Sequence, residues 1–451
     1  MRLRADVFVR HAEGESLVAA PRRGGSLVLQ GAEVFLEAIP RGAAPGVTVE
    51  EIADRVAAAF ECSVAEVAAD VRDFVALLAR EGYLEGMESP AAGVSAGTQA
   101  ATVAAEAEPE DEETALGDFY RRHGLPAELH LDLTDGCNER CVHCYLPSGR
   151  AHFIERELAF KVLREFRAAG GLTVMISGGE CLLHPDFEAI VREARRLELN
   201  IILLSNLTRC TAQTVALLRE VQPQFVNVSL YAAQAEVHDA ITRLAGSWEK
   251  TVRAIDALLA AGVPVRLATP LMRPNRHAVA GLQAFARERG VHVIFDCDIF
   301  GRMDHDCSNQ AVALTLAELE ALLREHGAAL LHPPAPAARC ACEAKVCDIG
   351  DARLNVNAQG DYYPCDGFHG MVLGNAHRDT LEAVWHGEKL NALRAWRNRD
   401  FGACGTCANR AWCKVCAMRN FNETGDCFTH APVRCAVAAL KRQVALGAKG
   451  V

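Results

Sequence analysis

Between residues 129 and 296, short apolar runs alternate with amphipathic stretches. The runs 129–134, 172–176, 199–204, 224–229, 263–269 and 291–295 are nearly continuous in apolar side chains. Such continuity marks strands buried on both faces. Between them lie stretches such as 157–169, 186–197 and 248–261, whose apolar positions repeat with the 3.6-residue period of a one-faced helix. Six β/α units in succession predict a parallel sheet covered by helices. A full barrel closes with eight, so the expected fold is α/β, a partial (β/α)6 TIM-like barrel that stays open.

Ahead of this segment the period changes. Asp6–Arg10, Ser16–Ala20 and Ser26–Gln30 read as short strands punctuated by glycines. Thr48 with Glu51, and Ser63 with Glu66, have the spacing of capping boxes and start two helices. The second carries Val71, Phe74, Leu77 and Leu78 on one face. Strands followed by helices describe a winged-helix-like domain over residues 1–85. Its last helix sets Glu66, Asp70 and Asp73 against Arg72 and Arg80, a poor balance for reading DNA. Residues 86–116 run from small residues into an acidic stretch between Glu106 and Glu113, which predicts an extended tether. The barrel is then expected over 117–335 and a cysteine-rich domain over 336–451.

Composition narrows the chemistry. A formal charge of −11 argues against general nucleic-acid binding. No apolar run approaches the ~18 residues that span a bilayer, and the N-terminus has no signal-peptide core. A cytoplasmic location without membrane contact is the expectation. In that reducing setting, eighteen cysteines point to metal or redox chemistry rather than disulfides.

The cysteines fall into two groups. Cys137, Cys141 and Cys144 stand at C-x-x-x-C-x-x-C spacing directly after the first barrel strand. Soft thiolates on a short loop suit zinc or an iron–sulfur cluster. A structural zinc site closes with four ligands, whereas a cluster held by three thiolates leaves one iron open. A zinc knuckle with a distant fourth ligand is the other reading. Ser177-Gly178-Gly179-Glu180 follows the second strand, Ser205-Asn206 the third, and Ser229 closes the fourth. Ligands bind at the carboxyl ends of such strands. The second group comprises ten cysteines from Cys340 to Cys435. Within it, Cys347 and Cys365 flank Gly360, and Cys404-x-x-Cys407 precedes Cys413 and Cys416. A zinc ribbon is the alternative for this tail.

Taken together, the loop, the Gly-Gly-Glu turn and the tail resemble the radical S-adenosylmethionine (SAM) enzymes of the SPASM group, which modify peptides. The N-terminal stretch is similar to the precursor-recognition domain of ribosomal-peptide modification systems, through Val7-Phe-Val-Arg10, Leu27-Val-Leu and Thr48-Val-Glu-Glu-Ile-Ala. In that family a leader peptide adds a strand to the small sheet.

The resemblance implies three 4Fe-4S clusters and SAM as cofactors. Cys137, Cys141 and Cys144 would hold the SAM-binding cluster. Gly178, Gly179 and Glu180 would take the SAM ammonium, and Ser205 and Asn206 its ribose or carboxylate. His143 would lie near adenine, and Ser229 would complete the cofactor contacts. One auxiliary cluster would use Cys347, Cys365, Cys416 and either Cys342 or Cys340. The other would use Cys404, Cys407, Cys413 and Cys435, with Cys427 as substitute. Asp366 matches a catalytic acid/base of sulfatase-maturing relatives. Cys181 departs from the pattern, standing where the family usually has proline.

The implied activity is reductive SAM cleavage and hydrogen abstraction from a ribosomally made precursor peptide bound through its leader, forming for example a thioether or carbon–carbon crosslink. A reductant such as flavodoxin or ferredoxin is the implied partner. The alternatives are a sulfatase-type protein maturase and a non-catalytic, metal-stabilised peptide-binding adaptor.

Overall fold

The computed structural model describes residues 1–41, 44–86, 112–147, 151–331, 343–345, 347–413 and 415–447. They form two units, Met1–Leu125 and Pro126–Val451. Most of the expected tether (87–111), and with it Cys340 and Cys342 of the tail, lies outside the described residues.

The first unit holds β1 (Arg2–Leu3), β2 (Phe8–Ala12), β3 (Glu15–Ala20), β4 (Gly25–Gln30), α1 (Glu33–Ala38), α2 (Val49–Ala59), α3 (Val64–Arg80), β5 (Leu84–Glu85) and α4 (Glu112–His123). β2, β3 and β4 form an antiparallel sheet, and β1 pairs with β5. The β2–β3 turn is Glu13-Gly14, both at positive φ, which matches the right-handed twist of a two-residue hairpin. Thr48 and Glu51 close the capping box of α2, and Glu66 accepts both the N–H and the hydroxyl of Ser63 at the head of α3. Ile52 and Val56 of α2 meet Val71, Val75 and Leu78 of α3 over Val9 and Val18 in one core. α4, which follows the tether, packs against β3 and β4, and its Arg122 and His123 both reach Glu15 at 2.9 Å. The first residues of α4 fall inside the stretch that the sequence assigns to the tether.

The second unit begins with the six predicted strands: β6 (Glu128–Asp132), β7 (Thr173–Ser177), β8 (Asn200–Ser205), β9 (Phe225–Ser229), β10 (Val265–Pro270) and β11 (His292–Asp296). Each pairs in parallel with the next. Helices α5 (Arg156–Ala168), α6 (Phe187–Arg196), α7 (Ala212–Val221), α8 (Ala235–Thr242), α9 (Ser247–Ala260) and α10 (Val279–Arg289) lie between the strands, and α11 (Leu316–Leu330) follows β11. The helices supply the predicted apolar faces. Leu158, Val162, Leu163 and Phe166 of α5 are buried in one core with Leu129, Leu131, Val174 and Ile176 of the sheet.

The barrel does not close on itself. β6 instead takes a parallel partner from the tail, β12 (Arg353–Val356), followed by the antiparallel β13 (Asp361–Tyr363) and β14 (Gly374–Asn375). This extension sets Asn355 opposite His130 on one side and opposite Tyr363 on the other, two residues before Cys365. Short helices complete the tail: α12 (Leu381–Trp385), α13 (Glu388–Arg394), α14 (Ala417–Thr424) and α15 (Pro432–Gly447). No helix among the described residues is long and apolar enough to cross a membrane.

Candidate functional site

The carboxyl ends of β6–β11 line a cavity of about 360 Å³. Its lining includes Cys137, Cys141, Cys144, His143, Gly178, Gly179, Ser205, Asn206 and Ser229. The loop, the Gly-Gly-Glu turn and two further strand ends therefore share one space.

The cysteine loop is anchored by main-chain bonds from distant segments. Gly179 N–H donates to Thr134 O (2.7 Å) and Glu180 N–H to Gly136 O (2.9 Å), while Arg140 and Val142 N–H donate to Thr242 O and Ile241 O. A Cβ on Gly178 would sit 2.1 Å from Thr134 O, and one on Gly179 2.3 Å from Gly136 O. The two glycines thus let the turn press against the loop's backbone, in addition to any approach to a ligand.

Glu180 is fully enclosed. Its oxygens accept from Ser205 Oγ (2.7 Å), Leu182 N–H (3.0 Å) and Asn206 N–H (2.7 Å). A carboxylate offers about four lone-pair directions; Oε1 accepts the first two of these bonds and Oε2 only the last, so the remaining capacity is on Oε2. Ser205 and the Asn206 backbone, expected to face a ligand, here bond the carboxylate. The Asn206 amide instead lies 3.8 Å from Cys137 Sγ and donates to Asn138 Oδ1. Cys181 is buried, with its Sγ on Leu204 O at 3.3 Å, and it does not line the cavity.

Sequence reasoning passed over three neighbours. Glu139 accepts from Cys141 Sγ (3.3 Å), and Tyr231 lies 3.7 Å from the same sulfur and edge-on to His143. Asn309 Nδ2 donates to the carbonyls of His143, Cys144 and Phe300. The only signal for Tyr231 was its position two residues after Ser229. Asn309 gave none.

The thiols suit a cationic centre. Burial, reinforced by Glu180 and Glu139, pushes Cys137 up to about 12, and burial beside Glu139 pushes Cys141 higher still. They shed protons at neutral pH only against a strong Lewis acid. A single zinc would need its donors converging at about 2.0–2.3 Å. Among the described residues only His11, Glu33 and Glu37 place three such donors within 4.8 Å of one another. The three loop thiols are not such a group, so they do not converge on a single zinc. His143 is brought down to about 4 by burial, which leaves it neutral, and its Nδ1 has no protein partner.

In the tail, Cys404, Cys407, Cys413, Cys416 and Cys435 line a second, smaller pocket with His430, Arg410 and Arg434. Cys427 is buried away from it, its carbonyl accepting from Asn420. Cys347, Cys365 and Cys416 influence one another electrostatically and so lie close together. The fourth thiol expected beside them, Cys342 or Cys340, is outside the described residues.

Asp366 belongs to an ion cluster centred on the buried His130. His130 places Nδ1 2.9 Å from Asp366 Oδ1 and Nε2 3.2 Å from Asp132 Oδ1, and Tyr363 Oη donates to Asp132 Oδ2. Burial alone would lower the His130 pKa, but the two carboxylates raise it to about 10. Burial alone would raise the Asp366 pKa, but His130 and Arg353 bring it down to about 2. Asp366 is thereby fixed as a carboxylate, which makes it a poor proton donor at neutral pH.

Three family models match separate stretches of the chain. The chain matches the models of the radical SAM superfamily over residues 131–280, an iron–sulfur cluster-binding domain (SPASM) over 347–416, and coenzyme PQQ synthesis protein D over 36–84. It is 25% identical to an AdoMet-dependent heme synthase of Methanosarcina barkeri, covering 68% of this chain and 95% of that protein. It is 29% identical to the mycofactocin maturase MftC of Mycobacterium ulcerans, covering 65% and 83%. With the subtilosin biosynthesis protein AlbA of Bacillus subtilis it shares 25% over 68% and 73%. Streptococcus suis SuiB bound to its precursor peptide SuiA superposes with a TM-score of 0.62 at 15% identity, covering 96% of this chain and 99% of that one. At that identity the likeness is one of fold.

Proposed function

We infer that this chain, a radical SAM/SPASM peptide maturase, is an enzyme that cleaves SAM reductively and modifies a ribosomally made precursor peptide. The observation that carries this reading is the shared cavity: three unpaired thiols and the Gly-Gly-Glu turn at the strand ends of an open barrel. With SAM and a reduced cluster in place, the site supplies a 5′-deoxyadenosyl radical able to take a hydrogen atom from a peptide carbon.

The protein's part is placement. Cys137, Cys141 and Cys144 hold the cluster, and Gly178–Glu180 and Ser205–Asn206 form the wall against which SAM lies. His143 and Tyr231 close an apolar side that keeps water from a reactive intermediate. Cys347, Cys365 and Cys416 with Cys342 or Cys340, and Cys404, Cys407, Cys413 and Cys435, hold the two auxiliary clusters. Asp366, held as a carboxylate by His130 and Arg353, is the candidate acid/base of the site. The small N-terminal sheet takes the leader, which tethers the rest of the peptide at high effective concentration. A flavodoxin or ferredoxin supplies the electron, and the setting is the cytoplasm.

A second reading, tetrapyrrole modification, is favoured by the heme-synthase relative, which the chain matches over 95% of that protein's length. The matched precursor-recognition segment at 36–84 favours a peptide.

Anaerobic reconstitution with iron and sulfide, then reduction in the presence of SAM, should yield 5′-deoxyadenosine. A metal-stabilised adaptor would yield none. Short peptides encoded beside the gene are the candidate substrates, and a mass change in one of them, absent without SAM, would establish the modification. Deleting residues 1–125, so that α4 leaves with the sheet it packs on, should abolish or weaken modification of the full-length peptide. Wild-type rates in that truncation would remove the recognition role.

A further inference from the structure

Two aspartates stand at the end of β11, on the side of the cavity far from the Gly-Gly-Glu turn, and both line it. Their circumstances differ. Asp298 Oδ1 lies 3.1 Å from the guanidinium of Arg419 and 3.1 Å from that of Arg434, so its charge is balanced. Asp296 accepts from the backbone N–H groups of Asp298, at 2.9 Å, and of Cys297, and has no cation within ion-pair distance among the described residues. It is exposed to the cavity. Its recessed position in the cavity and the charge of Asp298 raise its pKa above the usual aspartate value, with Lys441 lowering it from farther away.

The walls around Asp296 are apolar. Ile294, two residues earlier and on the same strand face, is 38% exposed, and Ala268, Pro270, Ile299 and Phe300 line the same cavity, with Thr269 and Asp298 as its nearby polar groups. No lysine or arginine is among the described lining residues. An apolar stretch of cavity wall beside a carboxylate without a paired cation fits a side chain with a long apolar stem and a cationic head. SAM also carries positive charge, but its ammonium belongs at the Gly-Gly-Glu turn. Four strand spacings separate β7 from β11, roughly 19 Å along the sheet at about 4.8 Å each.

We propose that Asp296 receives a lysine or arginine side chain of the substrate peptide and so selects which residue reaches the radical. This rests on the peptide-maturase reading and specifies its substrate. The probes are pentapeptides Gly-Gly-Xaa-Gly-Gly with Xaa lysine, norleucine or glutamate, titrated calorimetrically into the anaerobically reconstituted, SAM-loaded enzyme. The lysine peptide should bind about ten-fold or more tightly than norleucine, as one charge-assisted contact would give, and glutamate more weakly still. Asp296→Asn should erase the preference and Asp296→Glu restore most of it, with SAM affinity holding in both.

Equal binding of the lysine and norleucine peptides would overturn the proposal. So would a fall in SAM affinity in Asp296→Asn that matches the loss of preference, because it would assign the carboxylate to SAM. Failure of the wild-type enzyme to form 5′-deoxyadenosine would instead refute the maturase reading itself and remove the ground on which the proposal stands.

Discussion

The two cysteine regions are built on different principles. The loop of Cys137, Cys141 and Cys144 is fixed by long-range bonds: residues 177–180, 241–242 and 303–309 each supply donors or acceptors to it. The turns carrying Cys404, Cys407 and Cys413 are held by local ones, Cys407 N–H to Cys404 O, Arg410 N–H to Cys407 O and Cys413 N–H to Arg410 O, with Asn398 bracing Arg410. A loop tied to several barrel strands has its shape before any metal arrives. Short turns whose main-chain bonds are mostly local, with Arg442 reaching Asn409 from outside, take more of their order from the ligand they bind. The first region is therefore a preformed site, and the second depends more on its metal.

The most severe test removes the first site altogether. Replacing Cys137, Cys141 and Cys144 by alanine should abolish 5′-deoxyadenosine formation and cut bound iron by one cluster in three, leaving the tail loaded. Iron and sulfide counting beside product analysis reads both outcomes. Residual SAM cleavage, or loss of all iron, would show that the regions are not independent.

They meet at the His130–Asp366 cluster, and pH should part them. His130 is lifted from 6.5 to about 10, so the stability it gains from Asp366 and Asp132 is whole below pH 6.5 and drains as pH rises toward 10. Asp366, lowered from 3.8 to about 2, contributes fully above 3.8 and loses its share as pH falls toward 2. The contribution is greatest between these windows. His130→Gln should lose stability at pH 6 and show a flatter alkaline limb than wild type, by an amount on the order of a few kcal/mol, since the charges titrate as a set. Denaturant unfolding from pH 6 to 10 measures it, and parallel curves for the two proteins would refute the ion-pair account.

Removing the iron should separate the regions more gently. Amide exchange across 398–413 should quicken about ten-fold or more in the apoprotein, equivalent to about 1.4 kcal/mol of local stability, while 137–144 changes less. Equal acceleration in both would erase the distinction.

How much of this was legible beforehand follows from range. The six parallel strands announce themselves because strands buried on both faces are apolar nearly throughout, as in Asn200-Ile-Ile-Leu-Leu-Ser205. The cysteine spacings and Ser177–Glu180 are local patterns, and the cavity gathers them as strand-end logic requires. β12 and β13 were not legible. Arg353-Leu-Asn-Val356 and Asp361-Tyr-Tyr363 are too short and polar to stand out, and their partner β6 lies more than two hundred residues away. With that pairing went the surroundings of Asp366, which the sequence could present only as a residue beside a cysteine. The return of α4 to β3 and β4 was hidden for a related reason: the acidic stretch before it reads as a tether, and nothing local marks where the tether ends. Asp296 and Asp298 were visible as residues, but only the coordinates separate the balanced carboxylate from the unbalanced one.

The smallest expected effect probes the long-range bracing directly. Asn309 is 6% exposed, and its single amide nitrogen donates to three carbonyls, those of His143 (3.2 Å), Cys144 (3.3 Å) and Phe300 (2.8 Å). Two of the three belong to the cysteine loop. Asn309→Ala leaves these acceptors without their donor, at a cost of about 1–2 kcal/mol. Because the bond joins the loop to a segment far along the chain, the loss should appear as faster amide exchange at residues 141–145 and faster release of iron from the first site, with the tail unchanged. Asn309→Asp keeps the size but replaces a donor by an acceptor facing carbonyl oxygens, and should be worse than alanine. If both variants kept wild-type iron retention and loop exchange, the remaining bonds to Thr242, Ile241 and the Gly-Gly-Glu turn would be enough to preform the site, and bracing from 303–309 would have no part in it.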